Sequence, residues 1–155
     1  MFDRAYTAIL MATKSLIVVL FALMIVVTFA QVVFRYVAGA PISWSEELAR
    51  YCFVWIVFLA AALGLERGVH LGLDLIVLRL PLAAQRVAAA LCEATIIAFC
   101  LTVLVASLPV IEINAFQRSP SLGLRMSHVY LVIPIAMALL SLVAAKRFVA
   151  RLQAG

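Results

Sequence analysis

The chain has 155 residues, 68% apolar and only 12% charged, against roughly 45–50% and about 25% in ordinary soluble domains, so hydrocarbon rather than water is its main solvent. The net charge of +5 does not point to nucleic acid, because most basic residues flank apolar runs, where they act as topology signals and headgroup contacts. Backbone polar groups in hydrocarbon must be satisfied inside the protein, which leaves helices or a closed barrel. A barrel needs segments of about ten residues alternating apolar and polar, and Leu16 to Met24 does not alternate. The expected fold class is an all-α integral membrane protein in one membrane domain.

The first predicted element covers residues 15–35. Ser15 to Phe34 is uncharged and, at about 1.5 Å per residue, crosses a core about 30 Å thick. A cleaved signal peptide is the rival reading, since the start is basic and Thr28-Phe29-Ala30 faintly resembles a small-x-small site. The apolar run exceeds the usual stretch of about 7–15 residues, which favours a retained span. The second element, 44–65, opens at Ser43 to Glu46 with the spacing of a capping box, with Trp44 at headgroup level, and ends at Glu66-Arg67.

Residues 71–80 are apolar but interrupted by Asp74 and Arg79 and closed by Pro81. About 15 Å of helix cannot cross, so a short interfacial helix is expected there. The third span, 87–112, is uncharged from Ala94 onward and carries Glu93, with Pro109 and Glu112 at its far end. The fourth, 126–146, follows a polar connection and is expected to kink at Pro134. Eight of the Lys and Arg residues fall in the N-terminus, second connection and C-terminus and four in the other two connections, so both termini are expected in the cytoplasm.

Cys52, Cys92 and Cys100 are odd in number and lie inside apolar runs, which suits neither a disulfide framework nor a zinc site; they are expected to be small buried residues. No phosphate loop, partnered nucleophile or metal-ligand cluster is visible, so neither an enzyme nor a cofactor is expected. A haem held by His70 and His128 would need both imidazoles at one depth, and the expected topology puts them on opposite faces. Interfacial polar contacts suit both better.

Glu93 is the one ionisable group well inside a predicted span. It is either a proton relay, as in a small proton-coupled exporter acting as an oligomer, or a group about 10 Å inside the boundary that snorkels, stays protonated or hydrogen-bonds to another helix. Glu46, Glu47 and Arg50 share one face of the second helix start and, with Arg35, Tyr36 and Trp44 at the same boundary, form a candidate docking or headgroup-anchoring surface. Trp44, Leu48, Tyr51, Trp55, Phe58 and Ala62 make an aromatic stripe suited to packing against protein. Gly64, Gly68 and Gly72 repeat every fourth residue, but Glu66 and Arg67 make this a helix exit more than a packing seam. A transporter that works alone needs midplane polar groups or broken helices around a site. One glutamate is thin provision, so an accessory or scaffold subunit is the expected role.

Phe34-Arg35-Tyr36, Trp44-Ser45-Glu46-Glu47-Leu48, Arg50, Trp55, Arg67-Gly68-Val69-His70 and Asp74, then Ser119-Pro120-Ser121-Leu122-Gly123, Tyr130 and Pro134, resemble in order the small, DctQ-type membrane subunits of TRAP transporters. Ala60 stands where that family commonly has glycine. The resemblance implies a bacterial inner-membrane protein that partners a large DctM-type membrane subunit carrying substrate and sodium sites. It also implies a soluble periplasmic substrate-binding protein that delivers an organic acid. Arg35, Tyr36, Trp44, Glu46, Glu47, Arg50, Tyr51, Trp55, His70 and Asp74 are the resulting candidates for partner-facing or headgroup-anchoring positions, and a haem or quinone anchor of a respiratory enzyme is the remaining rival.

Overall fold

A computed structural model describes residues 2–67 and 81–153. The expected interfacial segment 71–80, with His70 and Asp74, lies outside these residues. The described chain is helical: α1 (Phe2–Tyr36), α2 (Ser43–Glu66), α3 (Leu82–Ile113), α4 (Met126–Tyr130) and α5 (Val132–Gln153). Four stretches are long and apolar enough to cross a membrane, namely Asp3–Tyr36, Ser43–Glu66, Val87–Ile113 and Met126–Ala150. They match the four expected spans, with later or earlier ends.

The largest extension is at the start, where α1 begins at Phe2, thirteen residues before the apolar run that announced it. Asp3 sits in the first turn, where it complements the helix dipole, and Thr7 donates its hydroxyl proton to the Asp3 carbonyl at 2.8 Å. α3 follows Pro81, whose missing N–H costs nothing at a helix start, and Gln85 N closes the first turn onto Pro81 O at 3.0 Å. The helix then runs through Pro109 to Ile113. Ser107, two residues before the proline, donates to Leu104 O at 2.7 Å.

The fourth span is divided. Leu131 separates α4 from α5 while keeping right-handed helical dihedrals, φ −56° and ψ −25°. Pro134 explains the interruption: it has no N–H for the Tyr130 carbonyl four residues earlier, and its ring presses on that carbonyl. The interruption thus falls three residues before the proline expected to mark a kink.

Packing forms two compact units, one of Met1–Ala60 with Pro109–Val132 and the other of Ala61–Leu108 with Ile133–Gly155. Buried residues of the first include Cys52, Leu59, Val129 and Val132; those of the second include Ala62, Leu65, Cys100, Ala136, Val143 and Ala144. Along α2 the buried residues are Ser45, Glu47, Cys52, Leu59, Ala62 and Leu65. The aromatic stripe runs beside them, with Trp44 exposed and Tyr51, Trp55 and Phe58 half-buried. Cys52 and Cys100 are buried as expected, but Cys92 is exposed, because its position on α3 turns away from the seam that Glu93 joins.

Burial is thin for so apolar a chain. Only 6% of the most apolar window of α1 is buried, against 33% in the fourth span. Val18, Val19, Phe21, Val26 and Phe29 all face outward. An open groove of about 590 Å³ in the first unit runs between α1, at Met24, Phe29 and Val32, and α2, at Ala49, Arg50 and Phe53.

Gly39 and Gly123 have φ of +64° and +66°, a region that costs other residues roughly 1–2 kcal/mol, whereas Gly64 is helical with open space where a Cβ would be. Gly39→Ala is expected to destabilise the protein by about 1 kcal/mol, and Gly64→Ala to be neutral or stabilise it by up to about 1 kcal/mol. Unfolding in mixed detergent micelles checks both; the opposite ranking would contradict the backbone described.

Candidate polar anchors inside the spans

The candidate site consists of two polar clusters, one in each unit. In the first, Glu47 sits one turn into α2 and is 8% exposed. Its Oε2 accepts the backbone N–H groups of Ser121 and Leu122 at 3.0 and 3.1 Å, and its Oε1 accepts the Tyr51 hydroxyl at 2.5 Å. Two successive amides converging on one carboxylate oxygen form an anion-binding nest, here filled by the protein's own side chain. The Tyr51 oxygen also lies 3.3 Å from Met126 Sδ, so one tyrosine touches both the carboxylate and the first residue of α4.

The turn that Glu47 grips is itself internally bonded. Ser119 N donates to Leu124 O at 2.8 Å, Gly123 N to Ser119 O at 3.1 Å, and Met126 N to Gln117 O at 2.9 Å. The buried Ser119 hydroxyl accepts Leu124 N at 3.2 Å. Gly123 supplies the left-handed step that lets the chain reverse.

Glu46 and Arg50 behave differently from Glu47. Glu46 Oε1 accepts from Arg50 Nη2 at 3.2 Å, with both side chains about two-thirds exposed. At such exposure a single helical pair contributes little, about 0.3–0.5 kcal/mol. Glu46 thus reaches forward to Arg50 instead of back to Ser43 as capping-box spacing suggests. The hydroxyl bond at the helix start belongs to Ser45, which donates to Ile42 O at 2.6 Å. Arg35, Tyr36 and Trp44 are exposed at this boundary and Trp55 is half-buried further along α2.

In the second unit Glu93 is 4% exposed, and its Oε1 lies 3.4 Å from Arg147 Nε of α5. Arg147 Nη1 also donates to the Leu65 carbonyl, one of the last α2 carbonyls left without an intrahelical partner. One guanidinium, planar and multidentate, therefore ties α2, α3 and α5 together. In sequence Arg147 reads only as a basic flank. The missed signal is that Glu93 requires a counter-charge and that α5 extends past Lys146-Arg147 to Gln153. His128 is exposed near the start of α4, and among the described residues no group of three His, Cys, Asp or Glu could hold a metal ion.

These contacts set two expectations. In Glu47→Ala the amides of Ser121 and Leu122 should exchange hydrogen faster by about tenfold or more, with a smaller change in Glu47→Gln and none in Glu46→Ala; hydrogen exchange by mass spectrometry reads this. Arg147→Met should cost about 3 kcal/mol, the scale on which removing one partner of a buried pair acts. Glu93→Gln should cost clearly less, since an amide still accepts from Arg147. Equal losses in equilibrium unfolding would show that the guanidinium does not carry the junction.

Comparison with known proteins now adds lineage to this geometry. Residues 24–154 match the family described as tripartite ATP-independent periplasmic transporters, DctQ component. The isethionate TRAP transporter permease protein DctMQ of Oleidesulfovibrio alaskensis is 30% identical over 128 residues, 77% of this chain and 20% of that protein. The C4-dicarboxylate TRAP transporter small permease protein DctQ of Rhodobacter capsulatus is 31% identical over 104 residues, 66% of this chain and 46% of that one. A Haemophilus influenzae protein carrying a TRAP small permease name is 28% identical over 138 residues, 89% of this chain and 86% of its own length. The chain thus spans less than half the length of the first two relatives. With four helices able to cross a bilayer, it is a multi-pass inner-membrane protein and a transporter component, not an enzyme. It belongs to the DctQ family, the small permease components of the tripartite ATP-independent periplasmic transporters.

Proposed function

We propose that this chain is a static scaffold subunit that braces a large DctM-type membrane subunit during sodium-coupled uptake of an organic acid delivered by a periplasmic binding protein. The observation that carries this reading is the division of its surface. The charged groups inside the spans, Glu47, Glu93 and Arg147, are bonded within the chain, while most of α1 and much of α3 present uncovered apolar side chains. Such a chain offers packing area and fixed shape.

The large partner packs on the outward face of α1 and the groove beside it, with Arg35, Tyr36, Trp44, Arg50 and Trp55 anchoring the boundary. Glu47 and Tyr51 act from within by holding the third connection in shape. The DctMQ relative supports a large partner, since the part matching this chain is a fifth of one longer permease polypeptide. Both termini lie in the cytoplasm, in keeping with the excess of Lys and Arg at the N-terminus, second connection and C-terminus.

Deleting this chain should reduce binding-protein-dependent, sodium-driven uptake to the level of a strain lacking the binding protein. Glu93→Gln should retain uptake close to wild type, which separates the scaffold reading from a proton-coupled exporter. Photo-cross-linkers at Val26 and Phe29, exposed on α1, should capture the large subunit, and one at the fully buried Val132 should not. Uptake that survives deletion would end the proposal.

A further inference from the structure

The turn gripped by Glu47 carries two arginines in an unusual relation. Arg118 and Arg125 face each other across an isolated antiparallel bridge. The flanking bonds, Ser119 N to Leu124 O and Met126 N to Gln117 O, make this a non-hydrogen-bonded pair, the geometry in which facing side chains come closest. Their Cβ atoms are then about 4.5–5.5 Å apart on one face, where like charges repel. Both residues are exposed, and among the described residues no acidic side chain bonds either. Glu47 lies in the nest, Glu46 is on Arg50, and Glu112 is exposed at the last turn of α3.

Fixed, close and like-charged, such a pair calls for an anion between its guanidiniums. Two arginine forks match the oxygens of a phosphate, which they bind in bidentate fashion. The depth identifies the source. Arg125 immediately precedes the fourth membrane span and Arg118 follows the third by five residues, so both sit at headgroup level. Phe116 in the same connection is 93% exposed and Ile113 at the end of α3 is 75% exposed, apolar groups suited to the boundary below the phosphates and ill suited to water.

We propose that Arg118 and Arg125 form a binding site for the phosphodiester of an anionic membrane phospholipid, held rigid because Glu47 and Tyr51 fix the turn that presents it. The site is independent of the scaffold reading and needs only the membrane location. It predicts preference for phosphatidylglycerol over phosphatidylcholine, because the zwitterionic headgroup brings its own cation to a dibasic cleft.

Native mass spectrometry of the full chain, titrated in micelles with phosphatidylglycerol or phosphatidylcholine, tests this. Arg118→Gln and Arg125→Gln should each weaken phosphatidylglycerol binding by about fivefold, and the double variant by more than about twentyfold. The double lysine variant, which keeps charge but loses the forks, should fall between wild type and double glutamine and serves as the reading if the glutamine variants melt early. Arg67→Gln, at another boundary, should change nothing. Equal phosphatidylglycerol affinity in wild type and the double variant would overturn the proposal. So would soluble glycerol phosphate binding as tightly as the lipid, or lost capture of the acidic face of a partner protein with lipid affinity unchanged.

Discussion

Everything in this protein follows from the absence of water along most of its length. In hydrocarbon a backbone or side-chain polar group has no solvent to fall back on, so each must find a partner along its own helix or on a neighbour. The hydroxyls of Thr13, Thr95, Thr102 and Ser141 all turn back onto carbonyls four residues earlier, and Asn114 does the same with its amide at the end of α3. Where a proline interrupts the ladder, the helix either continues, as at Pro109, or divides, as before Pro134. Glu47 and Glu93 obey the same rule over longer range, and in doing so they determine which helices are joined.

The existence of the helices was legible because apolar run length measures membrane thickness directly. Their ends were less so, since the same measure is silent about a helix that continues into the boundary and beyond. The start at Phe2 and the finish at Gln153 were invisible for this reason, while α2, bounded by polar residues on both sides, was placed within one residue at each end. The polar clusters were only half legible. Glu47 and Tyr51 show as neighbours at i, i+4, and Glu93 stands out as a buried charge. The partners that explain them, the amides of Ser121 and Leu122 and the side chain of Arg147, are remote in sequence, and no local pattern marks them. The buried face of Ser45, Cys52, Leu59 and Ala62 was hidden by the louder aromatic stripe beside it.

Polar and apolar residues thus divide the labour. The charges of Glu47, Glu93 and Arg147 are spent inward, on shape: one carboxylate holds a connection and one guanidinium gathers three helices. Apolar side chains, far in excess of what the chain's own interior needs, are turned outward. For a protein in lipid this costs nothing, since lipid and a packed helix solvate a valine about equally well. Association with a neighbour then rests on fit between surfaces.

The reach of the two clusters also orders events during synthesis. Glu47 meets its amides 74 and 75 residues further along, and Arg147 meets the Leu65 carbonyl across 82. The carboxylate therefore emerges from the ribosome long before its nest exists. For that interval it stays solvated at the bilayer edge, and α2 remains untethered at both ends. The first knot can be tied once the third connection has emerged, and the second only when the last helix has entered the lipid, so closure of this protein proceeds in two steps.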